Sequence, residues 1–531
     1  MPLLPAKLQR ELVRRSKEIL VKSNRNAPFR FAGRRAYDAM LLVIRQRFGS
    51  LPGVRAVYLC HSLAAGECYP GLSDFDLTIV FESDDISRFH DSVRRRWGSL
   101  KRYFPISDLS ILTTGEFSAW QATGGGWDPL DEVRHWRLIA GTEQRREEFD
   151  PSTEEASIDR MQWSLGHFQN LLHVAIKEEQ QSPMMAIVAR RQLHKCFWNA
   201  VLALDAKYLA TPTHKSRVAG WIRDQGSPSP VPEIQRMYDA QFLEGPVTTL
   251  RFEAAALAYS LLDGSLASNR LLARPLASPD IEGDSIPISN QAEVEDRARA
   301  MCASILEMLD GRIMSVILGS TGTSRGYALY VVLEDGLTQQ EVADALRDIR
   351  AIHRVFDDPW FNEHLPAGIP IVCSRTMFLA RLQTGRSSLD YFEKFRRVIF
   401  GRDLYAEMVS AEFSDAGIRE RDWKREHLLY SLHLHQVYLA WLKPALHDYV
   451  TFYLPRLMLQ RHAGRAAATA EEAVNEFSLT VSGDTAALPR RMLDDYRGKD
   501  LDTLLKRMDR STFAEVWPLL RQGLHDELRD Q

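Results

Sequence analysis

Hydrophobic and polar positions along the chain follow two periodicities. Short apolar blocks bounded by turn residues, Val54 to Leu59 and Leu77 to Phe81, read as strands. A third block begins Pro-Ile-Ser-Asp-Leu-Ser-Ile-Leu. On it Asp108, Ser110 and Leu112 share one strand face, and Leu109 and Ile111 share the other. The basic stretch from Ser87 to Phe104 between them has helical character. Farther on, Ile158, Met161, Leu165, Phe168, Leu172 and Ile176 keep a three/four spacing, as do Leu446, Val450, Tyr453 and Leu457. The pattern predicts small α/β regions, each followed by a helical region.

The blocks recur along the chain. Tyr58-Leu-Cys-His-Ser62 matches Val316-Ile-Leu-Gly-Ser320, an offset of 320 − 62 = 258. Phe117-Ser-Ala119 with Thr123-Gly124 matches Phe378-Leu-Ala380 with Thr384-Gly385, an offset of 385 − 124 = 261. Arg137-Leu-Ile-Ala-Gly141 matches Arg397-Val-Ile-Phe-Gly401, an offset of 401 − 141 = 260. Offsets this steady indicate an internal duplication. The Ser/Pro/Gly/Asp-rich run from Asp263 to Asn290 lacks periodicity and reads as the linker between the copies. The resulting division is an α/β domain over 1–150, a helical domain over 151–262, a linker over 263–290, a second α/β domain over 291–415 and a second helical domain over 416–531. The run from Arg461 to Ser482 reads as a loop inside the last helical region.

Composition narrows the class. With 531 residues, 45% apolar and 26% charged, the chain can bury two or more ordinary cores. The N-terminal stretch carries charges throughout its helical period and has no long apolar region. No apolar run approaches membrane-spanning length, so no membrane association is expected. Cys60, Cys68, Cys196, Cys302 and Cys373 form neither CxxC pairs nor Cys/His clusters, which points to a reducing cytoplasm and away from zinc. His173, His194, His433 and His435 lack the i, i+4 pairing of a metal helix. A net charge of −3 supplies no global field for a long nucleic acid. Local basic clusters exist, Arg10, Arg14, Arg15, Lys17 and Lys22 on the first helix and Arg94, Arg95, Arg96, Lys101 and Arg102 on the helix between strands. Nucleic acid is therefore a possible partner but not the favoured one.

The candidate chemistry lies in the first copy. After the first strand come His61-Ser62, a loop with Gly66, Pro70 and Ser73, and then Asp74-Phe75-Asp76 opening the second strand. Successive strand side chains alternate, so Asp74 and Asp76 share a face and can grip one hard cation through oxygen. Ser-Asp-Phe-Asp could equally be a solvated turn before a buried strand. The order of parts resembles the signature of the DNA polymerase β-like nucleotidyltransferase superfamily, in which a strand and Gly-Ser precede a loop and an Asp-x-Asp strand.

That resemblance implies Mg²⁺-dependent transfer (Mn²⁺ as substitute) of a nucleoside monophosphate from a nucleoside triphosphate, ATP included, to a hydroxyl acceptor. The metal ligands would be Asp74, Asp76 and Asp108, with Asp108 also the general base, and His61, Ser62 and Ser73 would lie against the nucleotide. A small molecule or a protein hydroxyl is the expected acceptor, ahead of tRNA. His61 departs from the family's Gly. Lys195, Lys207, Tyr208 and Lys215 resemble a helix that can approach the nucleotide in small-substrate members. In the second copy Gly319 and Ser320 persist, but Gly326 and Ala328 stand where Asp74 and Asp76 would be. The strand near Ile371 offers no counterpart of Asp108, so that copy is expected to be catalytically dead. The alternative expectation is a non-catalytic nucleotide-binding or scaffold protein with the same fold.

Overall fold

The two apolar blocks of the first copy form antiparallel strands, β1 (Val54–Leu59) and β2 (Phe75–Phe81), preceded by helix α1 (Ala27–Gly49) and joined through the short helix α2 (His61–Ala64). Helix α3 (Ser87–Lys101) carries the chain across to β3 (Ile106–Thr113), parallel to β2, as a crossover connection requires. Helix α4 (Thr114–Thr123) follows directly, and β4 (Arg137–Gly141) closes the sheet antiparallel to β1. The sheet order is β3-β2-β1-β4. The structure is a computed structural model that describes residues 27–71, 73–82, 87–101, 104–123, 133–145, 150, 152–177, 183–211, 214–225, 250–273, 276–277, 291–309, 311–320, 327–355, 369–384, 395–410, 455, 470–480 and 489–490.

Strand burial explains why the apolar blocks are so continuous. Val57, Ile79, Val80 and Ile111 are all wholly buried, neighbours in sequence included, because both faces of the central strands are covered. Helix α1 contributes Tyr37, Ile44 and Phe48, seven and then four positions apart and so on one face. Tyr37 stacks on Phe75 and, from α3, Phe89 stacks on Phe81. Each such side chain contributes roughly 1.5–3 kcal/mol on burial.

The second copy repeats this arrangement. Helix α10 (Gln291–Leu309), strands β6 (Ile313–Ser320) and β7 (Tyr327–Leu333), helix α11 (Gln339–Val355), strand β8 (Ile371–Cys373), helix α12 (Arg375–Thr384) and strand β9 (Arg397–Gly401) build a sheet of order β8-β7-β6-β9. The strand directions match those of the first sheet. So do the irregularities. The outer pairing slips between Val57 and Tyr58 and again between Val316 and Ile317. Gly141 and Gly401 both adopt positive φ, and a Cβ on either would come within 2.1 Å of a carbonyl oxygen, of Arg55 and of Met314 respectively. The matched glycines of the two RxIxG blocks are thus demanded by the backbone.

The register also corrects one detail of the sequence match. Leu59 pairs with Leu77 as Leu318 pairs with Leu329, so the next position sets Gly319 against Cys60 and Ser320 against His61. Ser320 therefore corresponds to His61 and not to Ser62. Hydrophobic identity alone cannot detect a one-residue slip at a strand end.

By packing, the chain divides into two compact units. One comprises Met1–Trp163 with Glu179–Leu250, and the other comprises Ser164–Glu178 with Arg251–Gln531. The first sheet belongs to the former and the second sheet to the latter. The helices that follow the first sheet are α5 (Glu154–Lys177), α6 (Pro183–Leu202), α7 (Ala206–Leu209), α8 (His214–Gln225) and α9 (Leu250–Ala267). The expected linker starts too early, since α9 continues through Asp263, with Leu262 and Leu266 wholly buried a turn apart. A 3₁₀ turn (Arg270–Ala273) and strand β5 (Leu276–Ala277) follow, and β5 pairs in parallel with β10 (Val409–Ser410). The expected loop from Arg461 to Ser482 contains helix α13 (Ala470–Thr480), whose Ala473, Val474 and Phe477 are buried at helical spacing.

The expected Leu446–Leu457 stripe and the basic cluster from Arg10 to Lys22 lie outside the described residues, as does Gly326. The fold is mixed α/β with helical regions. Among the described residues, no helix is long and apolar enough to cross a membrane.

Candidate active site

Strand β1 ends at Leu59, and the N–H of the following Cys60 donates to the Asp76 carbonyl at 2.8 Å, so the turn after β1 starts beside Asp76. The next residue, His61, has φ of 54°, the left-handed conformation that glycine adopts freely and histidine tolerates better than most residues. This is the position at which the resemblance expects glycine. The turn is closed by Ala65 N–H on the His61 carbonyl at 3.1 Å and Glu67 N–H on the Ser62 carbonyl at 2.8 Å. His61 and Ser62 are both half-buried there.

The loop leading to Asp74 is held by side chains from the core. Tyr37 Oη donates to the Ser73 carbonyl at 2.7 Å and accepts the Gly71 N–H at 3.2 Å. Buried Ser73 accepts the Tyr69 N–H at 2.9 Å and donates to the Glu67 carbonyl at 3.4 Å. Its hydroxyl is thereby spent on ordering the loop, not left facing outward. Pro70 rests on α1, where a Cβ on Gly33 would meet the Pro70 ring at 2.4 Å. The loop is thus docked on α1.

Phe75 and Leu77 point into the core, each 1% exposed, while Asp74 and Asp76 are half-buried on the opposite face of the same strand. Thr78 continues that face inward, buried, with its Oγ1 at 3.4 Å from Cys60 Sγ. The parallel ladder then breaks its rhythm. Phe75 pairs with Ile106 but Leu77 pairs with Leu109, so Asp76 stands across from the two-residue step Ser107–Asp108. Bulges bend a strand and re-aim the side chains beside it. The backbone thus brings position 108 next to Asp76; the side chain of Asp108 lies outside the described part of the structure.

Arg191, on α6, was missed in the sequence. Its guanidinium lies over the Tyr69 ring at 4.8 Å from the centroid. Burial lowers its pKa, and the nearby Tyr69, Asp74, Glu67 and Tyr37 offset only part of that lowering. Burial likewise raises the Tyr37 hydroxyl to about 12, with a smaller upward contribution from Asp74 and a downward one from Arg191. Asp74 and Arg191 therefore share one electrostatic environment. The only sequence signal was a basic pair, Arg190-Arg191, at the end of the apolar run that opens the helix.

Lys195 is exposed, and Lys207 pairs with Asp205 and Asp224, each at 3.4 Å, while Tyr208 also bonds Asp224. The side chain of Lys215 lies outside the described residues.

The carboxylate pair suits a hard divalent cation in donor type, in shared strand face and in partial exposure. Among the described side chains, no three His, Cys, Asp or Glu come together as a metal-binding group, a set from which Asp108 is missing. In the second copy Ala328, 1% exposed, pairs with Gly319 at the place of Asp76. Because Ile371 pairs with Tyr330 as Ser110 pairs with Thr78, the same count backward puts Ile369, also buried, at the place of Asp108.

No protein-family model, no curated protein and no solved structure matches this chain.

Proposed function

We propose that the first half of the chain transfers a nucleoside monophosphate from a nucleoside triphosphate to a hydroxyl acceptor, a small molecule or a protein. The observation that supports this reading is the pair of half-buried carboxylates, Asp74 and Asp76, on one face of β2, beside the His61-Ser62 turn and across the bulge from Asp108. Asp74, Asp76 and Asp108 would hold Mg²⁺ or Mn²⁺. When bound, the cation neutralises the triphosphate and the leaving pyrophosphate. Asp108 takes the proton from the attacking hydroxyl. The acceptor oxygen bonds to the α-phosphorus as the bond from that phosphorus to the pyrophosphate oxygen breaks. His61 and Ser62 place the turn against the phosphates, and Arg191 adds positive charge near Asp74. The second half acts as a structural duplicate without the carboxylates. Five buried cysteines, none of them in a disulfide, suit a cytoplasmic setting.

The test is turnover of the four nucleoside triphosphates with Mg²⁺ by wild type and Asp76→Asn, with pyrophosphate release and intact-protein mass recorded together. Loss of one metal carboxylate should lower pyrophosphate release at least about a hundredfold, several kcal/mol of barrier. Asp74→Asn should behave alike. Turnover by Asp76→Asn at the wild-type rate would overturn the metal assignment, and nucleotide binding without metal or turnover would favour a non-catalytic binding protein.

A further inference from the structure

The two helices that cover one face of the first sheet carry a charge that the fold does not require. Helices α1 and α3 both pack on the strand face of Phe75 and Phe81, through Tyr37 on Phe75 and Phe89 on Phe81. They also join each other, since Arg96 of α3 donates to the Arg47 carbonyl at the end of α1 and, at 2.9 Å, to the Ser50 hydroxyl. Asp74 and Asp76 lie on the opposite strand face, so this surface is separate from the carboxylate site.

Together α1 and α3 hold ten lysine or arginine residues and two aspartates, a net charge of +8. In the second copy α10 packs on β6, β9 and α11 as α1 packs on β1, β4 and α3. Yet α10 and α11 hold five basic and seven acidic residues, a net charge of −2. The same pair of packed helices therefore folds with either sign, and packing does not explain the surplus. The surplus is also local, because residues 1–102 contain 19 basic and 10 acidic residues, net +9, in a chain of net charge −3. That count includes Asp84 and Asp85, which precede α3.

Arg34, Arg35, Arg45, Arg47, Arg95 and Lys101 are exposed. The aspartates among them are Asp38, exposed on α1, and Asp91, which Arg94 engages at 3.7 Å. Arg34 and Arg95 donate to the carbonyls of Cys68 and Asp91, while Arg35 lies over the Phe31 ring and Lys101 over the Trp97 ring. Contacts with carbonyls and rings orient a cation without cancelling its charge. Nine of the ten basic residues are arginine, whose planar fork matches phosphate oxygens. A face that only needs solvation takes lysine as readily. Phe29 and Phe31, 61% and 60% exposed in the first turns of α1, offer ring faces beside these arginines. Cations for the phosphates and exposed rings for the bases are the combination that holds a single strand.

We infer that the α1–α3 face binds single-stranded nucleic acid through its phosphates, without regard to sequence. The site needs no divalent cation and stands apart from the transfer proposed for the first half.

The experiment titrates the full chain into a fluorescein-labelled oligouridylate of about 20 nucleotides, in EDTA, and follows anisotropy from about 50 to 200 mM salt. The expected result is saturable binding that weakens about tenfold or more over that salt range, as counterion release requires. Arg45→Glu with Arg95→Glu should weaken binding at least about tenfold and flatten the salt dependence. The milder Arg45→Gln with Arg95→Gln should fall between, and thermal melts check that each variant is folded. Arg297→Glu with Arg299→Glu, on α10, changes the net charge as much as the first pair and should bind like the parent. Absence of saturable binding by the parent at about 50 mM salt, or an equal loss in the α10 variant, would overturn the site. Capture by phosphatidylserine/phosphatidylcholine vesicles without oligonucleotide binding would also overturn it, and would assign the face to a lipid surface. None of these outcomes depends on whether the first half transfers nucleotides, because neither metal nor triphosphate is present.

Discussion

At His61 a single dihedral angle carries most of the interest. A left-handed φ costs a residue with a Cβ roughly 1–2 kcal/mol relative to glycine, against which glycine's greater freedom in the unfolded chain must be set. His61→Gly should therefore leave stability unchanged or raise it by up to about 1 kcal/mol in urea unfolding. A loss larger than that would show that the imidazole, not the backbone, holds the turn. Glu143 offers a second test at this scale. It accepts Tyr58 Oη at 2.6 Å and Arg145 on both oxygens, Nε at 2.9 Å and Nη2 at 2.6 Å. The Arg145 fork, with help from Tyr58, lowers its carboxyl from the ordinary 4.5 to about 2. A depressed carboxyl pKa adds stability that is complete above pH 4.5 and is lost as pH falls toward 2. Glu143→Gln should be less stable than wild type at pH 7, with the gap closing over that acid window. A gap that stays constant with pH would mean the ion pair contributes nothing.

Among the elements, the two sheets make matching demands on matched residues. Gly141 and Gly401 end β4 and β9 with positive φ, each pressed against a carbonyl of the neighbouring strand. Gly141→Ala and Gly401→Ala combine strain with a backbone clash, so each should cost at least about 2 kcal/mol. Denaturant unfolding of both variants checks this, and a neutral result at either would show that its strand pairing gives way easily. The bulge between β2 and β3 belongs to this scale too, because it puts Asp108 across from Asp76 although the residues are far apart in sequence. Alternation along each strand was legible beforehand; the extra residue in the ladder was not, since a bulge has no hydrophobic signature when both flanking positions are apolar.

Over the whole molecule, duplication of the sheet has not kept the same residues at matched positions in both copies. At the Asp76 position the first copy is half-open, whereas the second places Ala328 at 1% exposure. Restoring the carboxylate with Ala328→Asp would bury an unpaired charge, and should destabilise the second unit by about 3 kcal/mol or more without adding pyrophosphate release. Thermal unfolding alongside the turnover assay checks both parts. A stable Ala328→Asp variant with raised turnover would show that the second copy lacks only its carboxylate.

The amino-acid sequence by itself determined the strands, their alternation, the α/β-then-helical order and the duplication, because burial imposes periods of two and 3.6 that any reader of the chain can count. It also singled out Asp74, Asp76 and Asp108, whose residue types carry their chemistry wherever they fall. Only the tertiary structure decided where Asp263 belongs, since a Ser/Pro/Gly/Asp-rich run looks like a linker until the buried Leu262 and Leu266 and the Ser374 hydroxyl that donates to Asp263 are seen beside it. Only it revealed that Ser73 is spent on its own loop, that Arg191 reaches the Asp74 environment, and that Ser320 corresponds to His61. These are relations between residues distant in the chain. They depend on register and on side-chain reach, and local hydrophobic pattern encodes neither.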